Sequence, residues 1–262
     1  MKRALLIVAL GLSSLPAQAA DLVVSGVPTT VEERASDREW SFGIAPYFWG
    51  AGLSGDIAQF GLPAISVDAS FSDIWDSLDF GAMAVTEFRF RRFGVFTDLV
   101  YVKLSGAKAT EESILADSVS LNTQTLTFTI APEYRAIETD KASLDVMAGA
   151  RVWSVDTDLR FRGGVLDGVS ANDGDTWVDP LIGIKGRYDF TDRFFVTGWG
   201  MIGGFGVSSE FMWDAWGGLG YQISNNFSAV VGYRGMGVDY KDDGFKYDII
   251  EHGPVIGGIL RF

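Results

Sequence analysis

Residues 121–136 of this chain, LNTQTLTFTIAPEYRA, change character at every second position. The even positions from Leu126 onward are mainly apolar, whereas the odd positions carry threonines, one alanine, and then Glu133 and Arg135. Successive side chains of a β-strand point to opposite faces, so this stretch predicts a strand with one apolar and one polar face. A soluble sandwich would turn the apolar face inward, and a membrane barrel would turn it outward.

The same period of two governs the chain from Trp40 onward, in ten segments. They are residues 40–55, 80–91, 94–106, 121–136, 142–159, 177–190, 194–207, 211–223, 227–240 and 247–262. Most are long enough to cross a bilayer as tilted strands. Brief links alternate with longer ones at 56–79, 107–120 and 160–176, although two further links are also short. This rhythm predicts an all-β fold: a single antiparallel transmembrane up-and-down β-barrel of about ten strands, with eight as the alternative.

The composition excludes several other classes of protein. With 47% hydrophobic and 21% charged residues, the chain can bury a large apolar surface. The net charge of −13 argues against a nucleic-acid partner. The chain has no cysteine, which rules out disulfides, thiolate metal sites and cysteine nucleophiles.

The N-terminus has the organisation of an export signal. Lys2 and Arg3 precede an apolar run, and small residues lead up to Ala19. We therefore predict a cleaved signal peptide at 1–19, a flexible periplasmic lead-in at 20–39 and the barrel at 40–262. The predicted location is the outer membrane of a Gram-negative bacterium.

Parity within the segments assigns one face to the barrel lumen, and fourteen ionisable residues fall on that face. They are Glu87, Arg89, Asp98, Glu133, Arg135, Asp145, Arg151, Asp179, Lys185, Arg187, Asp214, Arg234, Glu251 and Arg261. Seven are acidic and seven are basic, which favours an interior in which unlike charges pair. The core of a soluble sandwich would not carry so many charges.

Two local features carry further expectations. Pro46, Pro132, Pro180 and Pro254 fall within the segments and each lacks a ladder donor, so they predict bulges or rim positions. Residues 72–78, SDIWDSL, predict one short amphipathic turn at the bilayer surface.

The C-terminal stretch 254–262, PVIGGILRF, resembles the final strand of Gram-negative outer-membrane β-barrel proteins, which ends in an aromatic residue after alternating apolar positions. This resemblance implies that Ile256, Leu260 and Phe262 form the signal recognised by the barrel-assembly machinery. Residues 49–55, 70–74 and 96–101 also resemble a group of uncharacterised proteobacterial barrels, and the likeness covers about residues 40–262. That group implies a fold and a location, not an activity.

Candidate catalytic residues are few. The single histidine, His252, follows Glu251, but neighbours on a strand point to opposite faces and cannot form a dyad. Asp156 and Asp158 resemble the paired acids of the omptin proteases, whose Asp-x-His partner motif is absent here. We therefore predict no catalytic residues, no metal site and no cofactor.

The leading functional prediction is a structural or surface-exposed barrel with a largely plugged, charge-paired interior, because so many inward charges would fill a lumen of ten strands. A narrow, porin-like channel for small solutes is the first alternative, and an outer-membrane hydrolase with its site at the extracellular rim is the second. The expected partners are outer-membrane lipid and lipopolysaccharide, and the assembly machinery during biogenesis.

Overall fold

The computed structural model describes residues 39–109 and 116–262, with the side chains of 108 and 109 excepted. The predicted signal peptide and all of the lead-in except Glu39 lie outside the described residues.

The described chain forms twelve strands and one short helix. The strands are β1 (Trp40–Trp49), β2 (Gly52–Ala58), β3 (Ile65–Ala69), β4 (Leu78–Phe90), β5 (Phe93–Ala109), β6 (Ser118–Glu138), β7 (Ala142–Arg162), β8 (Ser170–Asp189), β9 (Phe194–Gly203), β10 (Phe211–Gln222), β11 (Phe227–Asp242) and β12 (Phe245–Arg261). The helix, α1, spans Phe71–Asp76, and it is too short and too polar to cross a membrane.

The strands close into a single antiparallel barrel. Consecutive strands pair from β4 to β12, β1 pairs with β4 on one side, and β1 pairs with β12 on the other. Because β2 continues along β12 where β1 stops, β1 and β2 act as one interrupted strand. The barrel therefore has ten strands around its wall and a short extra hairpin strand, β3, which confirms the predicted fold class.

The interruption of the first strand leaves a gap in the wall, which we call the seam. The pairs between β1 and β4 end at Pro46 and Ala84, so residues 78–83 of β4 pair with β5 alone. On the other side of the seam, β3 pairs only with β2. The two facing strand edges are not joined by any ladder among the described residues.

Helix α1 lies between β3 and β4 in the sequence, where a short amphipathic turn was predicted. Ser70 caps its N-terminus, and the Ser70 hydroxyl and amide donate to the Asp73 carboxylate. These hydrogen bonds lower the pKa of Asp73. The helix exposes Phe71 and Trp75. Their rings contact each other at a tilted angle, and each ring also contacts Phe48 of β1 edge-on.

Burial follows the predicted alternation along the strands. In β12, Ile250, Ile256 and Leu260 are exposed on the outer face, whereas Ile249 and Val255 are buried in the lumen. Strand β9 has apolar residues on both faces and could not be assigned from sequence, but Phe195 and Met201 point inward while Ile202 points outward. The outer surface of the wall is thus largely apolar, and it is covered with aromatic residues near both ends of the strands.

Two predicted loops are much shorter than the sequence indicated. The links expected at 107–120 and 160–176 shrink because β5 extends to Ala109, β7 extends to Arg162, and β6 and β7 each reach 21 residues. The prediction ended where the apolar alternation ended. Backbone pairing continues beyond that point, because a ladder needs no apolar face once the strands rise above an apolar band.

Of the two predicted placements of the strand prolines, bulges or rim positions, the structure shows no bulge at any of the four prolines. The two register shifts lie between Leu78 and Phe80 and between Arg135 and Ile137, away from all four strand prolines. Pro46 pairs with β4, Pro132 with β5, Pro180 with β7 and Pro254 with β11. The neighbouring strand on the opposite side of each proline has no residue paired with it. A proline lacks only one donor, so a local lapse on one side accommodates it without an inserted residue.

Close strand packing requires glycine at several positions in the wall, and Gly149 is one of them. A Cβ atom added at Gly149 would lie 2.1 Å from the carbonyl oxygen of Ile130, whereas one added at Gly200 would meet nothing within 4 Å. We expect Gly149→Ala to lower the free energy of unfolding by about 1–3 kcal/mol, because backbone atoms would have to shift. Urea unfolding in detergent micelles, followed by tryptophan fluorescence, measures the effect. Gly200→Ala is the control, and equal midpoints for the two variants would contradict the packing.

Candidate functional site

Six of the predicted inward charges form a basal cluster in the lumen, toward the end of the barrel that carries the brief turns. They are Glu87, Arg89, Glu133, Arg135, Asp145 and Lys185. Arg89 bonds to Glu133, and its Nη2 also lies 3.1 Å from Asp145 Oδ2. The Lys185 Nζ lies 2.7 Å from Glu133 Oε2 and also bonds to Glu87. The cluster joins side chains of β4, β6, β7 and β8 across the lumen.

A second group, the central cluster, lies further along the lumen and consists of Asp98, Arg151, Asp214 and Arg234. The Arg234 Nη2 lies 2.6 Å from Asp98 Oδ2 and 2.6 Å from Asp214 Oδ2. Arg151 donates from its own Nη2 to the same oxygen of Asp214, at 2.5 Å. These contacts connect β5, β7, β10 and β11, and all four side chains are at most 1% exposed.

Neutral side chains complete the central cluster, and sequence reasoning missed them because it counted charges alone. The Tyr47 hydroxyl donates to Asp98 Oδ1 at 2.8 Å and accepts from Arg234 Nη1 at 2.6 Å. Trp199 Nε1 donates to Asp214 Oδ1 at 3.0 Å. Tyr47 has the inward parity of its segment, so the alternation could have found it, whereas the mixed apolar faces of β9 hid Trp199.

Each cluster is electrically neutral. The basal cluster holds three carboxylates and three bases, and the central cluster holds two of each. Removing a charge from water costs several kcal/mol, and only well-formed opposite charges and hydrogen bonds offset that cost. Each cluster is therefore stable only when all of its members are present, because removing one side chain leaves a buried opposite charge without a partner.

The remaining four predicted residues lie outside both clusters. Arg187 pairs with Asp189 at the turn end, with its guanidinium carbon 3.4 Å from the centre of the Phe195 ring. Arg261 donates to Gln222 Oε1 at 3.2 Å. Among the described residues, neither side chain forms an ion pair with a carboxylate of the basal cluster.

The other two are acids without a basic partner. Asp179 accepts hydrogen bonds from the backbone amide of Ser209 at 2.8 Å, from its hydroxyl at 2.6 Å and from Trp177 Nε1 at 3.2 Å. Glu251 faces the lumen, and no hydrogen bond or ion pair joins it to the part of the chain that the structure describes. It is therefore the one predicted interior charge left without a direct partner among residues 39–109 and 116–262.

A stack of aromatic rings occupies the lumen beyond the central cluster, toward the loop end. The Trp177 ring lies nearly parallel to Tyr240, with centroids 4.0 Å apart, and nearly parallel to Trp153, at 5.8 Å. The stack draws its rings from β7, β8 and β11.

An apolar cavity of about 620 Å³ adjoins the stack, and Tyr247 contacts both. Its lumen side includes Val100, Val155 and Met236, and its outer side includes the exposed Phe71 and Trp75 of α1. The cavity thus runs from the lumen to the seam. Small side chains, including a row of threonines on β6, leave this space open, whereas larger side chains fill the lumen toward the turn end.

The hairpin of β2 and β3 borders the cavity and is held against β12 by polar contacts at the loop end. Ser66 donates to Asp56 Oδ1 at 2.7 Å, and Lys246 donates to Asp56 Oδ2 at 3.1 Å. The Ser66 hydroxyl, followed by the Lys246 ammonium, lowers the pKa of Asp56.

The residues considered for hydrolysis are not brought together. Asp156 and Asp158 point away from the lumen on β7, and His252 points away from it on β12, where its Nδ1 shares a hydrogen bond with the Tyr233 hydroxyl. Glu251 and His252 face opposite sides of the wall, as predicted. Within residues 39–109 and 116–262, no three His, Cys, Asp or Glu side chains are grouped so as to hold a metal ion.

Comparison with known proteins supports the fold. No family model and no curated protein matches the chain. Among solved structures, the outer membrane protease OmpT from Escherichia coli aligns with a TM-score of 0.50 at 11% identity, covering 86% of this chain and 97% of that one. Ail of Yersinia pestis aligns with a TM-score of 0.35 at 14% identity, covering 86% and 99%. The likeness to OmpT supports the barrel fold alone and assigns no activity.

Asp214 holds the central cluster together, because it accepts from two guanidinium groups and an indole. We expect Asp214→Asn to lower the free energy of unfolding by about 3–5 kcal/mol, since two buried cations would share one carboxylate. Chemical unfolding in detergent micelles measures the loss. Asp189→Asn, at a half-exposed pair, is the matched control and is expected to cost at most about 1 kcal/mol. A similar small loss in both variants would show that the central cluster is not a buried ion network.

Proposed function

We propose that this chain is a non-enzymatic, surface-exposed barrel of the Gram-negative outer membrane whose lumen is sealed. The observation that carries the proposal is the pair of neutral charge clusters across the lumen. An ion crossing the barrel would have to break fully buried pairs, and the cost of leaving a buried charge uncompensated opposes this.

The outer surface supports a position in a bilayer. Exposed apolar side chains encircle the barrel between aromatic residues near the two ends of the strands, which is the pattern of outer-membrane barrels. On β12, this band ends between Ile250 and the charged Asp248 and Lys246 toward the loop end. Lipid and lipopolysaccharide are the proposed contacts of this surface.

The orientation follows from the lengths of the links. The brief turns, such as those at 91–92 and 223–226, are assigned to the periplasm, and the ends carrying β2, β3 and the loop at 163–169 are assigned to the exterior. Trp40 at the start of β1 and Arg261 at the end of β12 then lie on the periplasmic side.

The proposed assembly signal lies on the outer face of the last strand. Ile256, Leu260 and Phe262 are all exposed, and the Phe262 ring stacks on Phe42 with centroids 6.1 Å apart. Recognition by the barrel-assembly machinery is part of the proposal, because these side chains are accessible on the strand that closes the barrel against β1.

A sealed lumen predicts the absence of stable conductance. We expect purified protein in planar lipid bilayers to give no unitary current steps at moderate voltage, with a general porin in the same bilayers as the positive control. Discrete and reproducible steps from the wild-type protein would favour the narrow channel and overturn the sealed barrel.

The proposed orientation can be tested with single cysteines, because the chain has none of its own. Val165, in the loop between β7 and β8, is 76% exposed, and Asn225 lies in the turn between β10 and β11. In intact cells, we expect a membrane-impermeant maleimide to label Val165→Cys, and to label Asn225→Cys only after the outer membrane is permeabilised. The opposite pattern would show that the barrel has the opposite orientation in the membrane. Labelling of neither residue under any condition would contradict surface exposure.

A further inference from the structure

The cavity beside the seam combines a mainly apolar lining with the carboxylate of Glu251. Its volume of about 620 Å³ lies within the range of about 300–1,000 Å³ common for small-molecule sites. Glu251 lines it and makes no hydrogen bond or ion pair with any residue that the structure describes. Such sites are typically apolar with a few polar groups that fix the orientation of the ligand.

The seam connects this cavity to the outer surface of the wall. The lining passes without interruption from Val155 and Met236 in the lumen to Phe48, Phe71 and Trp75, which are 39–52% exposed on the outside. Because β3 and residues 78–83 of β4 are not paired with each other, no backbone ladder crosses this route. An apolar molecule dissolved in the surrounding hydrocarbon could enter here without passing through water.

We infer that the cavity binds one aliphatic molecule carrying a hydroxyl group, with its chain among the apolar side chains and the hydroxyl donating to Glu251. The apolar lining favours the aliphatic chain of the ligand, because removing that chain from water is favourable all along the cavity. The carboxylate selects the hydroxyl, because Glu251 faces the cavity without a donor from the described residues, and a bound hydroxyl supplies one. The basal cluster lies apart from this site, whereas the central cluster adjoins it, because Tyr47 and Met236 line the cavity and also contact Asp98 and Arg151.

The test uses a straight-chain alkanol carrying a diazirine, with protein reconstituted in lipid nanodiscs. After illumination, mass spectrometry maps the labelled residues. We expect label on the lumen-facing Val155 and Met236, and this label should be displaced by excess unlabelled alkanol. Label on the outward Ile256 and Leu260 reports contact with bulk lipid and should not be displaced. Label confined to the outer face, or lumen label that unlabelled alkanol does not displace, would overturn the inference.

Two variants of the protein test separately whether the cavity holds the aliphatic chain of the ligand and whether Glu251 binds its hydroxyl. Gly81 lines the cavity, and a Cβ atom there would meet no atom closer than 3.9 Å, so Gly81→Phe fills the space without striking the backbone. We expect it to abolish lumen labelling, whereas Gly217→Phe, where a Cβ atom would meet nothing within 4 Å, should not. Unchanged lumen labelling in Gly81→Phe would place the ligand elsewhere.

Glu251→Leu removes the acceptor while keeping the site apolar. Lumen labelling by the alkanol probe should fall about tenfold, the effect of losing one hydrogen bond to a charged group, while labelling by the matched alkane diazirine should persist. An equal loss for both probes would refute the role of the hydroxyl. Faster migration of the unheated protein on gels, checked for each variant, shows that the barrel is folded. If wild-type protein conducts ions but labelling in the lumen still follows this pattern, the proposed function fails and this inference stands.

Discussion

The guanidinium of Arg234 ties together strands that do not pair with one another. From β11 it reaches Asp98 on β5 and the hydroxyl of Tyr47 on β1, residues separated from it by 136 and 187 positions in the chain. A hydrogen-bonded ladder fixes only the distance between adjacent strands, whereas a contact across the lumen fixes the width of the barrel. Because each buried charge requires its partners, the central cluster constrains the cross-section at that level.

The two halves of the lumen differ in the size and polarity of their side chains. Toward the turn end, long charged side chains and aromatic rings meet across the lumen, as with Lys185 and Phe96, whose ammonium and ring centre are 5.5 Å apart. Toward the loop end, threonines, valines and glycine leave a cavity beside the aromatic stack. A single barrel thus contains a filled section and an open one, and the transition depends on side-chain volume and on the interruption of the first strand.

Much of this architecture could be predicted from the sequence, because a period of two is a local property. The alternation in residues 121–136 assigned the faces of β6, and the same parity placed Arg151 and Asp214 in the lumen. Which acid meets which base could not be predicted, because that depends on the register and tilt of strands far apart in the chain. The break after Trp49 was also missed, since the chain keeps one register along β12 while its other side leaves β4 and pairs with β3. Glu251 was counted as a network member on parity alone, and only the arrangement of its neighbours leaves it apart.

The seam has a mechanical consequence. Elsewhere in the wall, widening the barrel would stretch hydrogen bonds between paired strands, which makes a closed sheet stiff. At the level of β3, five residues long, the two facing edges have no such bonds to lose, and only side chains and α1 stand between them. We therefore expect the barrel to be stiffer toward the turn end, and fluctuations of its diameter to be largest where the first strand is interrupted.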